Sequence, residues 1–188
     1  ITITRRKIQL PNVEYAGMLE DGTTGYILLT GFTEGAASEV RDAVKALRSS
    51  GMKELVLDLR GNGGGILQEA VGIVGLFVPK GSLVVTSRSN GFVKDEEYRT
   101  TSEPLDTALP LIVMVDSGSA SASEIVAGSL QDYDRATIMG TRTFGKGLVQ
   151  SVRPMPYGGQ LKITTAKYYI PSGRCVQALR RWAMQPSA

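Results

Sequence analysis

Leu111-Ile-Val-Met-Val-Asp116 runs straight into Ser117-Gly-Ser-Ala-Ser-Ala-Ser-Glu124, after which Ile125, Val126 and Leu130 stand at helical spacing. A short, near-continuous apolar run reads as a buried strand, the small residues as a tight turn, and the periodic segment as a helix. A serine on such a turn presents its hydroxyl at the edge of a sheet, beside helix-start N–H groups able to stabilise an oxyanion. Serines also cap helices, and small residues also permit close helix packing. Spacing alone leaves the choice among Ser117, Ser119, Ser121 and Ser123 open.

The same alternation recurs upstream. Gly25 to Thr30 reads as a strand, and Ala37, Val40, Val44 and Leu47 fall on one face of a helix with Thr33 as N-cap and Gly51 as stop. Glu54 to Leu59 reads as a second strand covered on both faces. After the loop 60–65, Ile66, Ala70, Val71, Val74 and Phe77 predict a helix ending before Pro79, and Ser82 to Thr86 a further strand. The polar stretch from Ser87 to Pro110 has no clear period and reads as a surface excursion. Thr137 to Gly140, Leu148 to Val152 and Leu161 to Tyr169 read as strands, the last two joined by a turn at Tyr157-Gly158-Gly159. Strand–helix alternation with a β-rich final third predicts an α/β domain with a mixed sheet.

Composition narrows the chemistry. The 188 residues are 42% hydrophobic and 21% charged, an ordinary balance for one domain. The net charge of +3 is dispersed without aromatic interleaving, so nucleic acid is not an expected partner. One cysteine, Cys175, excludes an internal disulfide and a multi-cysteine metal site. No run approaches the roughly 18 apolar residues of a membrane span, and the opening residues, lacking Met and an apolar core, read as a piece of a longer protein. There is no histidine at all. Ser-His-Asp and Cys-His catalysis and the His-Glu-x-x-His zinc motif are therefore excluded, and the base of any hydrolysis must be Lys, Asp, Glu or Tyr.

Two further segments bear on chemistry. Asp58-Leu-Arg-Gly-Asn-Gly-Gly-Gly65 places four glycines among the five residues after Arg60, exposing backbone N–H groups to an anion or simply satisfying a tight turn. Gly140-Thr-Arg-Thr-Phe-Gly-Lys-Gly147 nearly matches a phosphate loop, but Gly147 stands where the Mg²⁺-holding Ser or Thr is required, and an alternating strand pattern follows instead of a helix. Lys146, between two glycines and beside Phe144, could instead be buried by close backbone packing, which lowers the pKa of a lysine base; a solvated loop lysine is the alternative.

Taken in order, Asp-Leu-Arg-x-Asn-x-Gly-Gly, Ser-Ala-Ser-Ala-Ser-Glu, Thr-Phe-Gly-Lys-Gly-x-x-Gln and Thr-Thr-Ala-x-Tyr-Tyr-x-Pro-Ser-Gly-Arg resemble the carboxyl-terminal processing (tail-specific) serine peptidases from about Thr4 to Gln177. The resemblance implies Ser121 as nucleophile, Lys146 as general base, Gln150 as the residue orienting that lysine, Asp132 as a supporting aspartate, and an oxyanion hole from the N–H groups of Gly64 and Ala122. It implies a crotonase-like (ClpP/crotonase) core of repeated ββα units with added C-terminal strands. It further implies no cofactor or metal, protein substrates cut near their C-termini, and an extracytoplasmic location. Residues 1–178 would form the catalytic core without the PDZ domain such peptidases usually carry, and 179–188 a tail of uncertain origin. A catalytically silent peptide-binding scaffold of the same fold is the competing expectation. An acyl-CoA enzyme of the crotonase group would have no use for the Ser–Lys–Gln set.

Overall fold

The computed structural model describes residues 10–89, 91 and 94–178. The start of the resemblance at Thr4 and the tail 179–188 lie outside them. Among the described residues, nine strands and three α-helices follow in the order β1 (Val13–Met18), β2 (Thr24–Leu29), α1 (Ala36–Ser49), β3 (Glu54–Asp58), α2 (Leu67–Val74), β4 (Leu83–Ser89), β5 (Glu96–Arg99), β6 (Leu111–Val115), α3 (Ala122–Asp132), β7 (Thr137–Gly140), β8 (Leu148–Pro154) and β9 (Gln160–Tyr169).

They form a mixed α/β structure with two sheets. The first, ordered β1-β2-β3-β6-β7, has four parallel strands and the antiparallel β1 on its edge. Parallel neighbours joined in one direction require right-handed crossovers on the same face. Accordingly α1 packs on α2 and α2 on α3, over a core that includes Ile27, Leu29, Leu55, Leu57, Val113, Val115 and Ile125. The second sheet, β5-β4-β9-β8, is antiparallel, and β4 meets α2 and α3.

Several sequence expectations change. β3 and β6 are not buried on both faces: Leu55, Leu57, Leu111, Val113 and Val115 are buried, whereas Val56, Ile112 and Met114 between them are only half-buried. The N-cap of α1 is Gly35, not Thr33, because Gly35 takes the left-handed conformation (φ 92°) that turns the chain into the helix. α2 is shorter than its apolar pattern: after Val74 the N–H groups of Leu76 and Phe77 bond back only three residues, tightening the chain into a turn. The excursion 87–110 contains β5, whose Glu96, Glu97 and Arg99 lie exposed on a sheet edge, so no apolar alternation announces it. Among the described residues no helix is long and apolar enough to cross a membrane.

β3 and β6 are hydrogen-bonded neighbours, so the loops leaving their carboxyl ends, 60–65 and 116–121, lie side by side. Ligands of open α/β sheets gather in this position.

Candidate active site

The glycine loop begins on a fixed platform. Asp58 is 1% exposed and accepts N–H groups from the Arg60 backbone (2.9 Å) and guanidinium (Nη2–Oδ2 2.6 Å) and the Tyr26 hydroxyl (2.7 Å). Burial pushes its carboxyl up, but the bonds from Arg60 and Tyr26 outweigh this and hold it below the usual range. Four residues on, fully buried Asn62 donates from Nδ2 to Leu29 O (2.7 Å) and accepts Gly64 N–H on Oδ1 (2.9 Å).

The serine turn is stitched to that loop. Ser119 Oγ donates to Leu59 O (2.7 Å) and Ser123 Oγ to Asn62 O (2.8 Å), while Ala120 N–H donates to Asn62 O (3.0 Å). Ser119 and Ser123 are both 0% exposed. Their hydroxyls are thus committed to carbonyls some sixty residues away in the chain, and Ser117 lies exposed on the turn. Ser121 alone is half-buried with a hydroxyl bound to no distant residue. It is the N-cap of α3, with φ 55° and ψ −111°, a conformation that costs a non-glycine residue on the order of 1–3 kcal/mol. Gly64 (φ 91°) packs directly against it, so that a Cβ there would stand 2.6 Å from Ala120 O and 2.9 Å from Ala122 N. Gly64 and Ala122 therefore adjoin, and the Gly64 N–H is engaged by Asn62.

Glu124, 6% exposed, joins the serine to the lysine. Its Oε2 accepts the N–H groups of Ser121 and Lys146, each at 2.8 Å, and its Oε1 accepts the Thr143 hydroxyl (2.7 Å) and the Gly145 N–H (2.6 Å). Since both 2.8 Å bonds end on one oxygen, the two backbone nitrogens are no further apart than twice that distance. Sequence reading took Glu124 only as the end of the serine motif. Its position three residues after a helix-start serine matches a capping box, which hid its reach to the segment 143–146.

Lys146 departs from the burial expected of it. Gly145 and Gly147 are buried, but the lysine between them is exposed. The glycines are needed by other chain segments: a Cβ at Gly145 would collide with Ala178 and one at Gly147 with the Gln177 backbone. Residues 168–178 seat this loop through Tyr168 N–H to Gly147 O (2.9 Å), Ala178 N–H to Gly145 O (3.0 Å) and Gly147 N–H to Gln177 Oε1 (3.0 Å). Among the described residues the Lys146 ammonium is in no hydrogen bond or ion pair, with Ser121 or Gln150 or otherwise. Gln150 is exposed on β8 beside a bulge, opposite Thr164. Asp132 lies at the far end of α3 from Ser121, about 16 Å along the axis, where its Oδ2 accepts the Ser172 N–H (2.9 Å). A cavity of about 470 Å³ lies behind the junction, walled by Glu124, Gly128, Ile138, Gly145 and Ile170, and neither Ser121 nor Lys146 lines it.

Residues 23–181 match the model of peptidase family S41. The chain is 42% identical over 185 residues to a carboxy-terminal-processing protease of Bartonella bacilliformis, covering 95% of this chain and 41% of that protein. It is 40% identical over 182 residues to a carboxyl-terminal-processing protease of a Synechocystis species, covering 95% and 42%. Among solved structures, a photosystem II D1 C-terminal processing protease superposes with a TM-score of 0.74 at 34% identity, over 88% of this chain and 43% of that one. The chain thus spans about two fifths of the length of the curated relatives it matches.

Proposed function

The chain belongs to peptidase family S41, and from that premise we propose that it is the catalytic core of a serine endopeptidase that cuts protein substrates near their C-termini with Ser121 as nucleophile and Lys146 as base. The observation that carries the reading is the shared Glu124 oxygen, which draws the backbones of a strained helix-start serine and a glycine-flanked lysine into one site. The lysine amine, in its neutral form, takes the Ser121 Oγ proton as Oγ attacks the scissile carbonyl. The oxyanion faces the Ala122 N–H and the Gly64 N–H, the latter turned off Asn62. Lys146 then delivers its proton to the leaving amine, and water hydrolyses the acyl-serine by the same route in reverse. Because Lys146 is exposed, a bound substrate peptide is what would remove its amine from water.

Gln150, near the start of β8, the strand that follows the lysine loop, would orient the lysine once the loop is covered. Asp132 would act only through the 172–174 turn. The core is read as the crotonase-like ββα type, supported by the β1-β2-α1 unit and by Gly64, after β3, adjoining Ala122 at the start of α3. No metal or cofactor is called for. An extracytoplasmic location is proposed from the family alone.

The test is hydrolysis of a C-terminally labelled protein substrate by the full-length protein containing this core. Ser121→Ala and Lys146→Ala should each abolish cleavage while leaving the melting temperature within a few degrees of wild type. Cleavage at the wild-type rate by either variant would favour the silent-scaffold alternative for this site.

A further inference from the structure

The oxyanion side has a second carboxylate joint that the Ser–Lys–Gln set does not include. Asp116, the last residue before the serine turn, accepts on Oδ1 the N–H of Gly61 (2.8 Å) from the glycine loop and those of Gly118 (2.9 Å) and Ser119 (3.1 Å) from the turn. The Ser119 hydroxyl stands 3.3 Å from the same oxygen. The two loops touch here: a Cβ on Gly118 would lie 2.9 Å from Gly61 Cα and 3.2 Å from Asp116 Oδ1. Three residues on from Gly61, Gly64 lies against Ala122.

Resting on the peptidase reading above, we propose that Asp116 is a positioning residue that sets the width of the oxyanion hole by clamping the glycine loop to the serine turn. The partners of the groups it binds separate this role from general support. Ser119 keeps other bonds if the carboxylate is lost: its N–H reaches Asp116 O (3.0 Å) and its hydroxyl donates to Leu59 O. Gly61 N–H has Asp116 as its only acceptor among the described residues. Removing the side chain thus strands one N–H on each loop, Gly61 and Gly118, and loosens this edge of the joint while the Ser119–Leu59 and Ala120–Asn62 bonds still tie the loops together. Hydrogen bonds to an ionised acceptor are short and about twice as strong as neutral ones, which suits a joint that must not widen as charge develops beside it.

A peptidyl boronic acid, acetyl-Ala-Ala-boroalanine, tests the clamp without requiring turnover. Ser121 Oγ donates an electron pair to the trigonal boron, its proton passes to the Lys146 amine, and the tetrahedral boronate places a B–O oxygen in the hole. Calorimetric titration of the 188-residue chain should show tight binding that Ser121→Ala removes. Asp116→Ala should weaken it about tenfold or more, a fraction of the effect of deleting an oxyanion donor outright. Asp116→Asn, which keeps an acceptor at the same place, should restore affinity to within about threefold of wild type. Gly118→Ala, which wedges the same joint apart while leaving the carboxylate, should weaken binding as Asp116→Ala does. It also keeps the test decisive should Asp116→Ala fold poorly. Boronate binding that depends on Ser121 but is unchanged by Asp116→Ala and Gly118→Ala would overturn the clamp. Binding that survives Ser121→Ala, or no binding by wild type, would overturn the peptidase reading and the clamp with it.

Discussion

The serine and the lysine sit within one hydrogen-bonded junction, yet the regions that present them differ in construction. The serine turn and the glycine loop leave adjacent parallel strands, bury the polar side chains of Asn62, Ser119 and Ser123 and are closed on each other by these and by Asp116. The lysine sits on a segment entering a different, antiparallel sheet, whose β8–β9 arm is exposed along most of its length. Its backbone is held by the Glu124 and Gln177 side chains and by bonds to the Tyr168 and Ala178 backbones, while the lysine side chain is exposed. In one half the reactive geometry is fixed by the core. In the other, the backbone is placed and the side chain is left for something else to settle.

Glu124 joins the halves, so its removal has the largest expected effect. Glu124→Ala strands four donors in a buried site, at about 1–3 kcal/mol for each left unsatisfied. It should lower the melting temperature by several degrees and reduce peptide cleavage more than a hundredfold, as read by calorimetry and steady-state kinetics. A variant that melted as wild type would mean the two halves are held together elsewhere.

Two substitutions separate the halves. Ser123→Ala removes a buried hydroxyl bond and leaves Asn62 O with the Ala120 N–H alone, which should cost about 1 kcal/mol of stability by urea titration, whereas Ser117→Ala, on the exposed turn, should stay within about 0.5 kcal/mol of wild type. Gly147→Ala pushes the lysine segment off the Gln177 backbone and should instead depress the turnover number, with a smaller loss of stability than Ser123→Ala. Equal stability losses for Ser123→Ala and Gly147→Ala would erase the contrast.

The smallest effect expected is with acid. The Asp58 carboxyl is held below its ordinary value of 3.8 in the folded chain. Its contribution to stability is therefore full above that value and lost as pH falls through the depressed one. The stability difference between wild type and Asp58→Asn should shrink below about pH 4. A difference constant from pH 6 to 2.5 would detach the Arg60–Tyr26 platform from ionisation.

The serine half was largely legible in the sequence because its parts are local. An apolar run, small residues and a helical period announced β6, the turn and α3, and the glycine run announced a loop pressed close to something. What spacing could not do was choose among four serines, since the acceptors of Ser119 and Ser123 are Leu59 and Asn62, far away in the chain. The lysine half was less legible for the same reason. The partners of Gly145 and Gly147 are at 124, 168, 177 and 178, and nothing near Lys146 in sequence indicates whether its side chain is covered. β1 and β5 were missed because edge strands expose polar residues and break the apolar alternation by which strands are recognised.

The bonds from Tyr168, Gln177 and Ala178 to the lysine loop also impose an order in time. As the chain is synthesised from its N-terminus, every residue of the serine turn and of the loop against it is present once α3 has emerged. Glu124 can take up the lysine segment as soon as it is made, but the rest of its seat waits for some thirty further residues, so a chain stopping short of Gln177 holds the proposed nucleophile with its proposed base only partly seated. The segment 168–178 acts as a safety catch on the site.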